Sequence, residues 1–509
     1  MNNFVRINRI PLDILSLIPT HLSSHKDRFH ASFVCRHWRK TFLQHGALWS
    51  QLFLKNGEDY VTTLLERAKG SALEITTDRN VPLGAITLLP PYARQIRRLS
   101  FPNSCWTNIL LFPRIVSAPL PLLRTLEIYV TDLRSPQDQF SLFNPPSFPL
   151  FGSAINVEEF VLDFRRGGSL NHFVFPNLTT FILFAPQMDR LNASYLFDFL
   201  RASPTLQTVR VTIDGGVIPG SIPQDMVVIL PNVETFSLSV NGYVRKAYEP
   251  AVHISCPRAK STSLTHQIRN DDTTPDLEVF PNSASWMAIT HQYTTSPVEE
   301  VTLEIDCYRP VDLIACSCSL TFRSSDATAI KLDFQIIDTD EEEEEEDLYM
   351  SYGMVNRQIF SRACRAIQGH PLLSHVKRLH FKDKTGDRGF SFDYLTPMVG
   401  VVWELFRSLG PLDELTIHGF DLRIFLTPFT DPPESRHLER VFPSVKELTV
   451  SKAWMFDRRQ CLDDIVELAK SHHELGKPFE RVTVREGEIP TATVERLEQW
   501  VSAVDWDCY

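Results

Sequence analysis

The sequence predicts an α/β protein, in which a short helical module at the N-terminus is followed by a long series of strands that alternate with helices. Two observations predict this architecture. Residues 10–49 concentrate apolar side chains at the spacing of amphipathic helices. From residue 71 onward, an apolar-x-x-apolar-x-apolar pattern recurs about a dozen times, and helical stretches that end at Gly or Pro separate its copies.

The N-terminal module, predicted over residues 1–56, contains two or three short amphipathic helices. Pro11 stands at the start of the first helix, where its missing N–H costs little. The apolar face of that helix consists of Ile14, Leu15, Ile18 and Leu22. The second helix has Asp27 as a candidate cap, and its apolar stripe consists of Phe29, Phe33, Val34 and Trp38. So short a segment rarely supports an independent core, so we expect part of its apolar surface to pack against another surface.

Two runs of residues in this module carry a family resemblance. The first run contains Ile10-Pro11, Asp13-Ile14-Leu15, Ile18 and His21-Leu22, and the second contains Val34-Cys35-Arg36-His37-Trp38-Arg39 and Leu48-Trp49. In order and spacing they resemble the F-box, whose members usually read Leu-Pro-x-Glu-(Ile/Leu)-Leu and later Val-Cys-x-x-Trp. Pro19 and Arg28-Phe29 depart from that pattern. The alternative is an ordinary helical cap in which Val34 and Trp38 are only core residues.

The F-box resemblance implies a partner for this module. It implies that residues 10–49 bind a Skp-type adaptor and, through it, a cullin-RING ubiquitin ligase. The residues expected to face or support the adaptor are Pro11, Ile14, Leu15, Ile18, Leu22, Val34, Cys35, Trp38 and Trp49. Trp38 is the expected anchor, because buried aromatic side chains dominate such interfaces. Its alternative role is to hold the core of the module together.

A connecting helix is predicted over residues 57–70. Its apolar face consists of Val61, Leu64, Leu65 and Ala68. Gly70 is placed to end this helix, after which the pattern of the chain changes.

The repeated strand pattern fills residues 71–509. The central residues of its clearest copies are Leu99, Leu126, Phe160, Phe181, Val209, Phe236, Val301, Leu379, Leu415, Leu448 and Val482. Such alternation gives a strand with one buried face, and stacking many of these strands makes one continuous core. Strands and helices at a period of about 20–35 residues resemble the leucine-rich-repeat solenoid, in the divergent form found behind F-boxes in many fungal proteins.

This second resemblance implies a curved, mostly parallel sheet with outer helices. We expect a capping helix over residues 490–504 to cover the last repeat. A doubly wound α/β domain is the alternative, since it uses the same alternation of strands and helices.

Polar strand residues define the expected binding face of the repeats, where an unknown protein substrate would bind. They alternate with the core positions and are Arg98, Thr125, Glu127, Glu159, Thr208, Arg210, Glu300, Lys331, Asp333, Arg378, His380, Glu414, Glu447 and Arg481. Because both signs of charge occur, no single anionic or cationic ligand is implied.

Charge and composition narrow the function classes. The net charge is −11, but residues 340–347 alone carry eight carboxylates, within an acidic insertion predicted at 338–348. Such a run is typically solvated, and its alternative role is a docking site for a basic partner. The rest of the chain is nearly neutral, which argues against nucleic-acid binding. We expect no membrane partner, since no apolar run approaches the length of a bilayer span. Nine scattered cysteines favour the reducing cytoplasm or nucleus.

Catalytic and metal-binding motifs are missing from the sequence. Cys316 and Cys318 supply only half of a zinc site, and His472-His473 falls at the end of a predicted helix. We therefore expect no cofactor and no enzyme, and instead a substrate-recognition subunit of an SCF-type ubiquitin ligase. Two alternatives stay open: an F-box repeat scaffold that acts outside the ligase, and an α/β enzyme with a helical appendage.

Overall fold

The structure is a computed structural model, and it divides the chain into two compact units, Met1–Asp214 and Gly215–Tyr509. The residues that it describes are 10–22, 25–77, 81–104, 106–130, 151–152, 154–164, 170, 173–185, 193–214, 227–241, 249–270, 297–308, 314–325, 328–338, 361, 363–365, 368, 374–384, 401–402, 404–406, 409, 412–420, 422, 425, 445–451, 458–485 and 489–506. The acidic run at residues 340–347 lies outside them. No helix within these segments combines the length and the hydropathy that crossing a bilayer requires.

Short helices form the start of the first unit. They are α1 (Leu12–Leu17), which continues as a 3-10 turn (Ile18–His21), α2 (His25–Ala31), α3 (Arg36–Gln44) and a further 3-10 turn (Gly46–Trp49). Pro19 lies in the first 3-10 turn, which agrees with the inability of proline to continue an α-helix.

The second predicted helix is in fact two helices. The stripe from Phe29 to Trp38 is divided, because α2 ends where the hydroxyl and the backbone N–H of Ser32 both donate to the carbonyl oxygen of Phe29. Cys35 then adopts an extended backbone before α3 begins. Asp27 lies inside the first turn of α2 and does not precede the helix as a cap would.

The chain then passes from helices into a sheet. Strand β1 (Gln51–Phe53) is followed by a 3-10 turn (Leu54–Asn56), helix α4 (Glu58–Ala68) and strand β2 (Leu73–Thr76). Helix α4 is the connecting helix expected at residues 57–70, and it ends at Lys69 and Gly70, which both have positive φ. Strands β1 and β2 pair in parallel, so the N-terminal module supplies the first strand of the sheet.

Parallel strands in sequence order complete the sheet of the first unit. They are β3 (Ile96–Ser104), β4 (Thr125–Val130), β5 (Glu159–Phe164), β6 (Thr180–Ala185) and β7 (Thr208–Asp214). The intervening helical segments are α5 (Leu83–Thr87), a 3-10 turn (Pro90–Gln95), α6 (Trp106–Ile115) and α7 (Ala193–Arg201). The central residues of the sequence pattern pair in one buried row, which contains Leu99, Leu126, Phe160, Phe181 and Val209.

The second unit is also a mixture of strands and helices. Its strands are β8 (Val228–Ile229), β9 (Thr235–Asn241), β10 (Ile254–Ser255), β11 (Ser261–Asn270), β12 (Val298–Tyr308), β13 (Ile314–Ser324), β14 (Ala329–Asp338), β15 (Arg378–Asp383), β16 (Glu414–His418), β17 (Glu447–Ser451), β18 (Arg481–Arg485) and β19 (Ala503–Trp506). Its helices include α8 (Glu249–Val252), α9 (Arg458–Glu474) and α10 (Thr491–Leu497), and residues 363–365, 401–402 and 404–406 are also helical. The α/β class predicted from the sequence is confirmed.

The strand order of the second unit differs from a simple series. The order is β9-β11-β14-β13-β12-β15-β16-β17-β18-β19, while β8 and β10 pair separately. Strand β13 is antiparallel to both β12 and β14, whereas β11 pairs in parallel with β14 and β12 pairs in parallel with β15. The pattern copies in β12 and β14 are therefore not successive neighbours, because an antiparallel strand lies between them.

The C-terminal helix is shorter than expected. The prediction of one helix over residues 490–504 is wrong in extent, since α10 ends at Leu497 and residues from Ala503 form β19. Without β19, one edge of β18 would leave its backbone N–H and C=O groups unpaired. Strand β19 pairs with that edge in parallel, from Arg481 opposite Ala503 to Val484 opposite Trp506. An ion pair of 3.3 Å between Arg481 and Asp505 crosses the same two strands.

Candidate functional site

The N-terminal helices build a small core of their own. Leu15, Phe42 and Trp49 are almost completely buried. The ring of Trp38 stacks on that of Phe42, with centroids 5.7 Å apart. Helix α1 packs on α3, and α4 packs on the turn that contains Trp49. These contacts hold the helices together, so the side chains that remain outside them are available for other surfaces.

Large apolar side chains stay exposed around this core. We call them collectively the N-terminal apolar face, a set defined by exposure, and they are Ile14 and Leu17 on α1 and Phe29, Phe33 and Val34 on α2 and the turn that follows it. Ile14 is 49% exposed and Val34 is 53% exposed. The rings of Phe29 and Phe33 meet edge to face at 4.9 Å, and the guanidinium of Arg39 lies 5.4 Å from the centroid of Phe33. Exposed apolar side chains at this density are typical of an interaction surface.

The structure divides the predicted adaptor-binding residues into three groups. The exposed residues are Pro11, Ile14 and Val34. The half-buried residues are Ile18, Leu22 and Cys35. The buried residues are Leu15, Trp38 and Trp49, and the structure thus places Trp38, which is only 8% exposed, in the core of the module. The exposed group is the one that a partner can reach directly.

Sequence reasoning left three exposed apolar residues out of the predicted set. Leu17 follows Ile14 by three positions, so helical spacing alone places both on one side of α1. Phe29 and Phe33 were assigned to the stripe of the second helix but not to the binding set. The signal for all three was present in the spacing, but it could not show which apolar side chains the core leaves uncovered.

Two buried polar atoms belong to consecutive residues at the start of α3. Within the described residues, the Nε1 atom of Trp38 and the Nε2 atom of His37 have no hydrogen-bond partner. A buried polar group without a partner costs about 1–3 kcal/mol.

Groups with perturbed pKa values lie outside this module. Burial raises the pKa of the thiols of Cys318 and Cys364, which makes both poor nucleophiles. Burial lowers the pKa of His472 to about 4, so its ring is neutral near pH 7. Among the residues that the structure describes, no cluster of His, Cys, Asp or Glu is arranged to hold a metal ion.

Comparison with known proteins bears on the same segment. A search of curated proteins found no match to the chain. Residues 7–55 match the family model described as F-box-like, and this range contains α1, α2, α3 and β1. F-box domains generally bind Skp-type adaptors, and they occur in the substrate-recognition subunits of SCF ubiquitin ligases. The chain therefore carries an F-box-like domain at its N-terminus, with the N-terminal apolar face inside it.

Proposed function

We propose that this protein is a substrate-recognition subunit of an SCF-type ubiquitin ligase. The F-box-like domain would bind a Skp-type adaptor, and the strand-rich remainder of the first unit together with the second unit would hold a protein substrate. The single observation that carries the proposal is the N-terminal apolar face, which lies within residues 7–55 and is not used by the core of the domain.

Burial of the N-terminal apolar face is the driving force for adaptor binding. Complete burial of one large aliphatic or aromatic side chain contributes about 1.5–3 kcal/mol. Ile14, Phe33 and Val34 are each about half exposed, so each retains a large part of that free energy for a partner.

The strand rows support the substrate-binding half of the proposal. In the second unit Val301, Leu379, Leu415, Leu448 and Val482 pair in one buried row, as their counterparts do in the first unit. We interpret both units as divergent leucine-rich repeats, interrupted at β13. The polar residues between the buried positions then form broad faces on which a protein can bind.

Proximity is the mechanism in this proposal. The chain does no covalent chemistry itself, and it raises the local concentration of its substrate near the enzyme that transfers ubiquitin. The reducing compartments inferred from the cysteines, the cytoplasm and the nucleus, are the places where we propose that it acts.

The decisive experiment measures adaptor binding by the full-length protein. We expect a purified Skp-type adaptor to bind the wild type, and Ile14→Ser combined with Val34→Ser to weaken binding at least about tenfold, as for interface anchors. Ile155→Ser is the matched control, since Ile155 is equally exposed but lies outside residues 7–55. Equal adaptor binding by the wild type and the double variant would overturn the proposal.

A cellular measurement separates the ligase role from a scaffold role. Under the ligase role, proteins captured with this chain accumulate in ubiquitylated form when the proteasome is inhibited. The double variant at Ile14 and Val34 removes that accumulation while it still captures the same proteins. Captured proteins that stay unmodified in the wild type would favour the scaffold.

A further inference from the structure

Apolar side chains interrupt the polar face of the described strands of the first unit on β4, β5 and β6. We call this place the β4–β6 patch, and its apolar members are Tyr129 on β4, Val161 on β5, and Ile182 and Phe184 on β6. They alternate with the residues of the buried row along their strands, but Val161 is only 6% exposed and Tyr129 and Ile182 are half-buried, so Val161 forms the floor of the patch. Phe184 is 39% exposed, so the patch ends in an accessible aromatic ring.

The strand register brings these side chains together. Val161 pairs with Ile182 across β5 and β6, and Phe184 pairs with Asp163, which itself pairs with Tyr129. Neighbouring strands are about 4.8 Å apart, so side chains in one row touch or nearly touch. The sequence alternation alone did not single out this patch, because register decides which residues are neighbours.

Carboxylates surround the apolar side chains on the side of β4 and β5. Glu127 pairs in register with Val161, while Glu159 and Asp163 flank Val161 along β5. After burial, the charges of Glu127, Asp163 and Glu159 raise the pKa of Tyr129, and Arg98 opposes them. Arg98 forms an ion pair with Glu127, and the hydroxyl of Thr125 donates to Glu159 at 3.3 Å.

The opposite side of the patch carries a positive charge. Arg210 on β7 pairs in register with Ile182, and its side chain is exposed. The patch therefore has a direction across the strands: the carboxylates of Glu159 and Asp163 over β5, apolar side chains over β6, and a cation over β7, while Glu127 on β4 is ion-paired with Arg98. A ligand that matches all three zones must itself carry charges of opposite sign at its two ends.

We propose that the β4–β6 patch binds an extended peptide segment with lysine or arginine at one end, an apolar residue in the middle and a carboxylate at the other. Alternate residues of an extended chain point the same way, so one face of such a segment can present all three side chains to the patch. The apolar residue packs on Ile182 and Phe184, and the basic residue lies over Glu159 and Asp163. This inference rests on the proposed function for its biological role, since it names the class of substrate segment.

The test uses the full-length protein and a defined probe. The probe is a fluorescein-labelled peptide of sequence Lys-Ser-Lys-Ser-Phe-Ser-Glu, and fluorescence anisotropy measures its binding. Its controls are the charge-reversed peptide Glu-Ser-Glu-Ser-Phe-Ser-Lys and a version with Ser in place of Phe. We expect only the first peptide to bind, and added salt to weaken that binding because the charges are exposed.

Variants of the patch make the test specific. Phe184→Ser weakens binding of the probe about tenfold, on the scale of an interface anchor. Glu159→Lys weakens binding of the probe and gains binding of the charge-reversed peptide, which a misfolded variant would not do. Val174→Ser and Glu66→Lys are matched controls at exposed positions outside the patch, and they leave binding unchanged.

Several results would overturn the inference: no binding of the probe by the wild type, equal binding of both charged peptides, or no effect of Phe184→Ser. A dimer that dissociates on Phe184→Ser would assign the patch to a second copy of the chain instead. Adaptor binding is measured in parallel on the same samples. If adaptor binding persists while the probe fails, only this inference is lost, and the reverse result removes the proposed function alone.

Discussion

The indole nitrogen of Trp49 donates a hydrogen bond of 2.8 Å to the backbone carbonyl oxygen of Phe42. Both side chains are buried, and the guanidinium of Arg67 in α4 lies 5.0 Å from the centroid of the Trp49 ring. This bond joins the last turn of α3 to the turn that leads into the sheet. Trp49, although it belongs to the F-box-like match, thus stabilises the domain from inside.

Replacement of Trp49 tests this structural role. Trp49→Phe keeps an aromatic ring but removes the donor and leaves a cavity, so we expect a loss of about 2–4 kcal/mol in the free energy of unfolding. Urea denaturation followed by circular dichroism measures the loss, with Trp506→Phe at an exposed position as the control. A loss below about 0.5 kcal/mol, the range of ordinary surface substitutions, would contradict the role.

Gly46 is required by the close approach of α4. A Cβ atom at residue 46 would overlap the backbone carbonyl oxygen of Ala68. We expect Gly46→Ala to destabilise the protein by about 1–3 kcal/mol, because backbone must shift to make room. Gly84→Ala is the matched control, since the nearest atoms to the added Cβ there belong to the movable carboxylate of Glu58 and not to the backbone. Equal melting temperatures for the two variants would show that the contact at Ala68 is not tight.

Phe160 lies at the centre of the aromatic core of the first unit. Its ring centroid is 4.9 Å from that of Phe173, 5.0 Å from Phe175 and 5.9 Å from Phe181. We expect Phe160→Ala to cost about 3–5 kcal/mol, because the cavity cannot collapse around rigid rings. Phe184→Ala, on the opposite face of the same sheet, should change stability by less than about 0.5 kcal/mol. Thermal unfolding compares the two, and similar losses would contradict the assignment of the faces.

His472 makes the stability of the second unit depend on pH. Its ring is buried and stacks on Phe479 with centroids 4.5 Å apart, and burial lowers its pKa from 6.5 to about 4. Between these values the unfolded chain binds a proton that the folded chain does not. Stability therefore falls as the pH decreases from about 6.5 to about 4, by roughly 3 kcal/mol in total, and this contribution is constant below that range.

The measurement for His472 is a difference between two proteins. We expect the free energy of unfolding of His472→Gln to depend less on pH than that of the wild type between pH 6.5 and 4, since glutamine does not titrate. His473→Gln, at an exposed position of the same helix, is the control. If the free energy of unfolding depended on pH equally in the wild type and in His472→Gln, the His472 ring would have the same pKa in the folded and unfolded chains.

Strand positions were predictable from the sequence, but strand neighbours were not. The alternation around Leu99, Leu126 and Phe160 identifies half-buried strands, and the structure pairs these residues in one row. The same alternation in β12 and β14 does not indicate whether neighbouring strands run parallel or antiparallel. The antiparallel strand β13 between them is therefore not predicted by the sequence pattern.

The candidate site shows the same limit. Spacing placed Ile14 and Leu15 together as apolar residues of α1, yet Leu15 is buried and Ile14 is half exposed. Helix α1 has only six residues, so the apolar periodicity is too short to show whether Ile14 or Leu15 turns toward α3. Only the packing of α1 on α3 separates the two roles.

Strand order also has a consequence for the chain as it leaves the ribosome. From β3 to β7 each strand pairs with the strand that precedes it in the sequence, which has already been synthesised. The first unit can therefore assemble progressively. One edge of β11 stays unpaired until β14 is synthesised, because Ser261 pairs with Ala329. In the same way, one edge of β12 stays unpaired until β15 is synthesised, because Glu300 pairs with Arg378. Open strand edges during synthesis invite mispairing. The stretch from β11 to β15 is therefore the part of the nascent chain with the greatest need for chaperone protection.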